Sequence, residues 1–263
     1  MKRKYLVTGS ASGIGLATKK KLESLGHIVY GVDVVNAEIV ADLSTSEGRK
    51  TAAKLALEKS GGVIDALIVN AGSGKSEART VAINFFGATE LISLLHPALN
   101  KSGAPRVVAT SSMASLMKVD KELVAIMLSG DEIGAVKRAQ HLVNEGGGAE
   151  GLIYSSTKRA LSRWIRRECI KDEWAKTGIP MNAVGPGIVK TPMVAEMIST
   201  EAGRANLEKV VPMPLHGYLE PETVAELIIW LSSESNSHVT GQTIYIDGGS
   251  DAVLRGDDIW VNS

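Results

Sequence analysis

The chain has 263 residues, of which 44% are hydrophobic and 22% charged, the balance of a globular protein with a substantial core. Its 29 basic and 29 acidic side chains cancel, so nothing indicates the basic excess that a nucleic-acid or membrane-surface binder needs. No run of about 18 apolar residues predicts a membrane span, the N-terminus does not resemble a signal peptide, and the single cysteine, Cys169, excludes an internal disulfide, so we expect a cytoplasmic protein.

Strand-like apolar runs alternate with helical patterns, beginning with a strand at 4–8 and a helix at 13–25. Further strands are predicted at 27–33, 38–43, 65–71, 106–112, 179–187 and 243–249, and further helices at 46–60, 80–99, 154–177 and 221–233. This alternation predicts parallel strand pairing with right-handed crossovers. We therefore expect residues 1–263 to form a single α/β domain, a Rossmann-type doubly wound parallel sheet with helices on both faces.

A glycine-rich loop joins the first strand to the first helix. Gly9, Gly13 and Gly15 form the pattern G-x-x-x-G-x-G. Glycine lets the backbone approach a pyrophosphate closely, and the helix N-terminus offers free N–H groups to the phosphates. A tight strand–helix turn would also explain the glycines, but their position in the first βα unit favours a dinucleotide site.

An acidic residue, Asp33, ends the second predicted strand. A carboxylate there accepts hydrogen bonds from ribose hydroxyls and repels a 2′-phosphate. No lysine or arginine follows in residues 34–38 to compensate, so we expect NAD rather than NADP as cofactor. The alternative is that Asp33 only caps a turn.

A tyrosine and a lysine, Tyr154 and Lys158, are four positions apart in a predicted helix. This spacing places both side chains on one helix face. A nearby ammonium stabilises phenolate, so we expect the pKa of Tyr154 to fall from about 10 towards neutrality. Tyr154 could then act as acid and base on a carbonyl or alcohol. The alternative is that Tyr154 is an ordinary residue at the edge of the core.

Further motifs occur in a fixed order along the chain: "TGSASGIG" at 8–15, "ADL" at 41–43, "NAG" at 70–72, "VAINFFGATE" at 81–90, "TSS" at 110–112, the Tyr154–Lys158 pair, "PGIVKTP" at 186–192 and "IDGG" at 246–249. Together they resemble the motifs of the short-chain dehydrogenase/reductase superfamily over nearly the whole chain. A Y-x-x-x-K pair alone is common by chance, whereas this ordered set is specific.

The resemblance implies a catalytic group and a cofactor site. The implied catalytic residues are Asn84, Ser112, Tyr154 and Lys158. The implied cofactor contacts are Gly9, Ser12, Gly13, Ile14, Gly15, Asp33, Asp42, Leu43, Asn70, Ala71, Gly72, Tyr154, Lys158, Pro186, Gly187, Ile188, Val189 and Thr191. In this interpretation Lys158 also binds the nicotinamide ribose and Asn84 supports a proton relay. Ser111 is an alternative to Ser112, and Asn84 could instead satisfy a loop.

Within the superfamily, "DLSTSEGRK", "NFFGATEL" and "DGGSDAV" are similar to bacterial 3α-hydroxysteroid dehydrogenase/carbonyl reductases. The resemblance implies hydride transfer between NAD(H) and a hydrophobic secondary alcohol or ketone, such as a 3-hydroxysteroid or another carbonyl compound. An aromatic, coniferyl-type alcohol dehydrogenase is the alternative on the same fold.

Two further classes remain as alternatives. A non-catalytic NAD-binding redox sensor would not need Ser112, Tyr154 and Lys158 together, and a lyase or dehalogenase on the same fold would not need the glycine loop and Asp33. A Ser–His–acid hydrolase is not supported, because the chain lacks a G-x-S-x-G motif. The five histidines show no metal-ligand spacing, so we expect no metal.

Two segments are longer than the fold requires. Segment 113–150 has amphipathic helical spacing, and we expect it to remodel a tetramer interface and leave a dimer as the homo-oligomer. Segment 190–217 follows the nicotinamide-binding motif, and we expect it to form a lid over a small hydrophobic substrate. Its expected apolar lining is Met193, Met197, Ile198, Met213 and Leu215, with Gly203 as a hinge.

Overall fold

The computed structural model describes residues 2–260, in which seven parallel strands form one sheet. The strands are β1 Lys4–Thr8, β2 Ile28–Asp33, β3 Ile39–Val40, β4 Ala66–Val69, β5 Arg106–Thr110, β6 Met181–Pro186 and β7 Thr243–Ile246, in the order β3-β2-β1-β4-β5-β6-β7. The order reverses between β1 and β4, where sheets of this kind bind ligands at the carboxyl ends of their strands. The single doubly wound domain is therefore confirmed.

Helices cover both faces of the sheet. They are α1 Gly13–Ser24, α2 Ser46–Ser60, α3 Arg79–Leu99, α4 Lys121–Ser129, α5 Glu132–Glu145, α6 Leu152–Glu168, α7 Asp172–Ala175, α8 Ala195–Ser199, α9 Glu201–Val210, α10 Pro221–Ser232 and α11 Ser250–Arg255. Helices α2, α3 and α6 bury one apolar cluster against the sheet, and α1 and α10 bury a second cluster on the other face. Helix α3 contains a π turn at Ala82–Phe86.

Helix α3 is also long and apolar enough to cross a membrane, by length and composition alone. However, 67% of its most apolar window is buried inside the protein. This burial is that of a core helix, and it accounts for the apolar composition without a bilayer.

Several strands are shorter than predicted because side chains divert the backbone from the sheet. The strand predicted at 65–71 ends at Val69, since the N–H groups of Asn70 and Ala71 donate to the Thr8 hydroxyl at 3.0 and 2.9 Å. The strand predicted at 243–249 ends at Ile246, because Asp247 accepts hydrogen bonds from the backbone that begins α11.

The helix predicted at 154–177 is in fact two helices, α6 and α7. Helix α6 ends at Glu168, and Lys171 is extended before α7 begins. The break turns Trp174 into the core, where it is 2% exposed and packs edge-on against His96 at 4.5 Å between ring centroids. Burying a large aromatic side chain outweighs the continuation of one helix.

The segment at 113–150 contains two short helices, as its amphipathic pattern predicts. Asp120 caps α4 by accepting from the Leu123 N–H, and Asp131 caps α5 by accepting from the Gly134 N–H. A left-handed glycine, Gly130, ends α4. The apolar faces of both helices join the main core, so the segment is an integral part of the domain.

A buried arginine fastens this segment to the sheet-covering helices. Arg49 of α2 is fully buried and forms ion pairs with Glu90 of α3 and Glu132 of α5. Its guanidinium also donates to the carbonyl oxygen of Leu43 at 3.3 Å. Three helices that are distant in sequence therefore share one cation.

Replacing Arg49 by methionine should lower the free energy of unfolding by about 2–3 kcal/mol, because two carboxylates would lose their buried partner. This value is below that for a fully buried pair, since both glutamate side chains are 31% exposed. Urea denaturation measures the loss. The matched control is Lys54→Met on the same helix, which removes an exposed pair with Glu58 and should cost less than about 0.5 kcal/mol. Equal losses in the two variants would contradict the prediction.

Candidate active site and cofactor cleft

The glycine-rich loop forms a cradle that has no room for side chains. A Cβ added to Gly15 would lie 2.1 Å from the Gly9 carbonyl oxygen, and one added to Gly9 would lie 2.9 Å from the Cα of Ala71. Gly9 and Gly13 also have positive φ angles of 68° and 52°, which glycine adopts without strain. The loop therefore presents bare backbone at the N-terminus of α1, as a pyrophosphate requires.

The cradle is tied to the neighbouring strand ends by one hydroxyl. Thr8 accepts hydrogen bonds from the N–H groups of Asn70 and Ala71, and the Asn70 side-chain oxygen accepts from the Thr110 hydroxyl at 3.1 Å. The ends of β1, β4 and β5 are thereby held in register at the cleft. Thr8 begins the glycine-rich motif at 8–15, but the sequence did not show this bonding role, because the two N–H donors lie in a distant part of the chain.

Asp33 lies at the end of β2, where its carboxylate already has two backbone partners. It accepts from the N–H of Ala11 at 2.9 Å and from that of Val34 at 2.7 Å. A carboxylate has about four acceptor positions, so positions remain for ribose hydroxyls. The turn-capping and ribose-binding interpretations of Asp33 are therefore compatible.

These elements enclose a cleft of about 420 Å³ at the carboxyl ends of the strands. Most of the predicted site residues line it: Gly9, Ser12, Gly13, Ile14, Asp33, Asp42, Leu43, Asn70, Ala71, Gly72, Ser112, Tyr154, Lys158, Pro186, Gly187, Val189 and Thr191. Three of them do not. Gly15 lies beneath the loop against Gly9, Ile188 is 4% exposed in an apolar cluster with Met113, and Asn84 is buried behind the cleft wall.

Lys158 is the buried cation of this cleft. Its side chain is on α6, and the residue is 4% exposed. Its ammonium donates to the Thr110 carbonyl oxygen at 2.8 Å and lies 5.6 Å from the centre of the Tyr154 ring. The predicted pairing on one helix face is therefore present.

The pKa values of the pair differ from the sequence-based expectation. Burial raises the pKa of Tyr154, and the hydrogen bond with Ser112, which lowers it, does not outweigh burial. Burial lowers the pKa of Lys158 to about 8. The expected fall of the Tyr154 pKa was wrong for this arrangement, because desolvation of the phenol outweighs its hydrogen bond with Ser112. At neutral pH Tyr154 is a protonated phenol beside a cation.

The two consecutive serines after β5 have different partners. Ser111 is 2% exposed, donates to the Lys158 carbonyl oxygen at 3.1 Å and shares a hydrogen bond with Ser162 at 2.8 Å. Ser112 lines the cleft, hydrogen-bonds Tyr154 and accepts from the N–H of Ala114. Ser111 therefore fastens α6 to the sheet, while Ser112 is placed to meet a substrate.

Asn84 lies in the π turn of α3 with its side chain fully engaged. Its amide oxygen accepts from the N–H of Ser73 at 2.7 Å, and its amide nitrogen donates to the Ser73 carbonyl and to the Thr157 hydroxyl. A Cβ added to Gly72 would lie 3.2 Å from this amide and 3.6 Å from the Lys158 ammonium. Asn84 thus positions the 70–73 loop beside Lys158. π turns are frequent at functional sites.

The segment after β6 forms two short helices beside the cleft. Ile198 and Met213 pack on an apolar cluster with Met113, while Met197 and Leu215 are 45% and 60% exposed. Gly203 is not a hinge: it lies in the first turn of α9, where a Cβ would come within 2.0 Å of the Met197 carbonyl oxygen. Its role is the close approach of α8 and α9.

Met193 closes the mouth of the cleft. Its side chain lines the cavity, and its Cγ would lie 3.0 Å from a Cβ added to Gly74 on the opposite wall. The flexible thioether side chain of Met193 therefore packs against the backbone of Gly74, which has no side chain. This arrangement suits a wall that adapts to its contents.

No three His, Cys, Asp or Glu side chains within residues 2–260 are grouped so that they could hold a metal ion. The chemistry carried by the chain itself comes from a phenol, a hydroxyl and a buried ammonium, next to a cradle for a dinucleotide. These features define the class of protein, an oxidoreductase of the doubly wound, dinucleotide-binding type.

Comparison with known proteins agrees with this class. A family model described as enoyl-(acyl carrier protein) reductase matches residues 9–251. The 3-alpha-hydroxysteroid dehydrogenase/carbonyl reductase of Comamonas testosteroni is 38% identical over 95% of this chain and 97% of its own length. A tropinone reductase homolog of Arabidopsis thaliana is 30% identical over 93% of this chain and 91% of its own.

A solved structure is similar over almost its whole length. The 3-alpha-hydroxysteroid dehydrogenase from Pseudomonas sp. B-0831, complexed with NADH, has a TM-score of 0.88 and 35% identity, covering 97% of this chain and 100% of the other. The chain belongs to the short-chain dehydrogenase/reductase family.

The lowered pKa of Lys158 gives a pH prediction. As pH rises through about 8 the ammonium loses its proton, so the rate of carbonyl reduction should fall about tenfold between pH 7 and pH 9. Tyr154 does not titrate in this range, because its pKa is raised. A pH–rate profile at saturating cofactor and substrate measures the effect.

Lys158→Arg is the control, since a guanidinium keeps its charge over the whole range. This variant should be slower at pH 7 but should lack the fall near pH 8. Two results would contradict the assignment of the loss of rate near pH 8 to Lys158. One is a wild-type rate that stays constant up to about pH 10, and the other is an identical loss of rate in the arginine variant.

Proposed function

We propose that the protein transfers a hydride between NAD(H) and a hydrophobic secondary alcohol or ketone. The observation that carries this proposal is the position of Tyr154, Ser112 and Lys158 in the same cleft as the bare glycine cradle. A half-buried phenol and a buried ammonium at that place have a use in proton transfer and would otherwise only cost desolvation energy.

NAD(H) is the cofactor that the cleft accepts. Asp33 lines the cleft at the end of β2 with a carboxylate that would repel a 2′-phosphate. The related Pseudomonas enzyme was solved with NADH. Gly9, Ser12, Gly13 and Ile14 would hold the pyrophosphate, and the stretch from Pro186 to Thr191 would hold the nicotinamide.

The chain's own residues supply the acid–base chemistry. When bound, the reduced nicotinamide supplies the hydride. Ser112 donates a hydrogen bond to the carbonyl oxygen of the substrate and holds it at Tyr154. Tyr154, protonated at neutral pH, gives its proton to that oxygen, and the Lys158 ammonium stabilises the phenolate that results. In the oxidative direction Tyr154 first gives its proton to the solvent, and its phenolate, stabilised by the Lys158 ammonium, then takes the proton from the alcohol.

The substrate side of the cleft favours an apolar molecule. Met193 and Val194 line it, and an apolar cluster of Met113, Ile188 and Val211 lies under the lid helices. Two relatives that are 38% and 35% identical over almost the whole chain are named for 3-alpha-hydroxysteroids, and the first is also named for carbonyl reduction. We therefore propose a 3-hydroxysteroid/3-ketosteroid pair or another bulky carbonyl compound as substrate, with segment 190–217 as its lid.

The alternatives have less support. A coniferyl-type alcohol dehydrogenase would use the same catalytic residues, and an aromatic alcohol in the assay distinguishes it from a steroid enzyme. A non-catalytic redox sensor has no use for the Ser112–Tyr154 hydrogen bond or for a buried lysine with a shifted pKa.

The function is tested with NADH and NADPH against 3-ketosteroids, bulky ketones and coniferyl-type aldehydes, by following the absorbance of the reduced nicotinamide. We expect turnover of a hydrophobic ketone with NADH. Tyr154→Phe should lower kcat by about 10²–10⁴-fold, because the variant has no proton to give.

Tyr30→Phe is the matched control, since it removes a hydroxyl that donates to the Lys59 carbonyl oxygen far from the cleft, and it should keep wild-type turnover. Full activity in folded Tyr154→Phe would show that the phenol is not the acid. Absence of turnover with every substrate and both cofactors would favour the sensor.

We also propose that the protein is a homodimer and that it acts in the cytoplasm, where the buried thiol of Cys169 would stay reduced.

The inserted helix α4 buries Leu123 and Met127 beside α6 and so covers a helix face that would otherwise be open to a partner. Within residues 2–260 β7 is an edge strand of the sheet, and Trp230 on α10 is 44% exposed. We propose that a second copy covers these surfaces.

Sedimentation or light scattering of the purified wild type should therefore give the mass of a dimer. Trp230→Glu should shift the equilibrium towards the monomer, because a charge would be placed in the contact, whereas Ile133→Glu on the exposed face of the insert should not. A stable tetramer, or a monomeric wild type, would contradict the proposed assembly.

A further inference from the structure

An ion pair spans the end of the cleft next to Asp33. Arg79, the first residue of α3, donates to the Asp42 carboxylate from its Nη2 at 2.5 Å and to the Ser44 hydroxyl from its Nε at 2.9 Å. Asp42 and Arg79 both line the cleft, with side chains 40% and 56% exposed. The pair joins the loop after β3 to a helix 37 positions later in the chain.

The acceptor positions of Asp42 are almost filled. Its Oδ1 accepts from the N–H and the hydroxyl of Ser44 at 2.9 and 2.7 Å, and its Oδ2 accepts from Arg79. Since a carboxylate has about four acceptor positions, one is left on Oδ2. Asp42 therefore has a fixed orientation and can serve one further donor.

Ser44 and Arg79 also keep the Asp42 carboxyl group ionised. Burial alone would raise the pKa of this carboxyl, but the hydrogen bonds from Ser44 and the ion pair with Arg79 outweigh it and hold the pKa below its ordinary value. The group is ionised at neutral pH and accepts hydrogen bonds only. An exocyclic amino group is a donor that fits the remaining position.

We infer that Arg79 is a positioning residue for adenine recognition, holding the Asp42 carboxylate so that its one remaining acceptor position receives the adenine amino group. This inference rests on the proposed NAD(H) function. Arg79 acts through Asp42, which it orients by the ion pair while its Nε binds the Ser44 hydroxyl. Specificity at this end of the cofactor thus depends on a residue outside the motifs that the sequence displays.

The test compares NADH with reduced nicotinamide hypoxanthine dinucleotide, in which an oxygen replaces the adenine amino group. Kd values come from fluorescence titration of the wild type, Arg79→Met and Arg79→Lys. Wild type should bind the hypoxanthine analogue about tenfold more weakly than NADH, the effect of one charge-assisted hydrogen bond.

Arg79→Met should raise the Kd for NADH about tenfold and that for the analogue less than about threefold, so that the ratio approaches one. Arg79→Lys keeps the positive charge but not the planar guanidinium with its paired donors. Its Kd for NADH should lie between those of wild type and Arg79→Met. At saturating NADH, kcat should stay within about twofold of wild type, because the reacting end is untouched.

Arg138→Met is the matched control, since it removes an arginine–carboxylate pair with Asp120 on the insert, outside the cleft. It should leave both Kd values unchanged. A wild-type ratio near one, an unchanged Kd for NADH in Arg79→Met, or equal weakening of both dinucleotides would overturn the inference while leaving the proposed function standing. If wild type bound neither dinucleotide, the proposed function would fail, and the inference with it.

Discussion

Burial of the Lys158 ammonium against the Thr110 carbonyl oxygen is the constraint on which the active site depends. A cation is expensive to remove from water, and here its compensation comes from a backbone dipole at the end of β5 and, among residues 2–260, from no carboxylate. The partial compensation shows in the lowered pKa of about 8. This single hydrogen bond therefore fixes the end of β5 relative to helix α6 and to the tyrosine one turn earlier. Within the described part of the chain, it leaves the positive charge of the ammonium without a negative partner.

This arrangement explains why the neighbouring groups are so firmly held. Ser111 joins α6 to β5 through the Lys158 carbonyl oxygen and Ser162. Asn84 holds the 70–73 loop with two hydrogen bonds to Ser73 and α6 with a third to Thr157. The polar groups near the lysine are thus used up in holding backbone and leave Tyr154 with Ser112 alone as a side-chain partner. A phenol with few competing partners is ready to exchange its proton with a substrate.

Sequence reasoning recovered the fold and most residues of the cleft, because both have local signals. Glycines at fixed spacing, an acid after a strand and a tyrosine–lysine pair in a helix each leave a pattern in the chain. The pattern that contains Thr8 does not show its role, and Arg79 leaves no pattern, since both roles arise from partners about 62 and 37 positions away that only folding brings close. The pKa of Tyr154 was wrongly anticipated for a related reason: helical spacing gives the position of the lysine, but it says nothing about how completely both groups lose water.

The lid and the insert show the same limit at a larger scale. The helices of segment 113–150 were anticipated from amphipathic spacing, but those of segment 190–217 were not. The Arg49 ion pairs that connect the insert with α2 and α3 could not be anticipated either. Gly203, expected as a pivot, instead permits two helices to touch. Flexibility and close packing call for the same amino acid, so glycine alone does not tell them apart.

The π turn in α3 places stability and function in opposition. It accommodates one more residue than a regular turn, so a chain shortened by one position there could return to uninterrupted α-helical pairing. The same deletion would remove the wide turn in which Asn84 lies, and with it the position from which the Asn84 amide binds Ser73. Gene variants that lose a single codon in this stretch would thus be compatible with folding yet disorganise the loop beside the lysine.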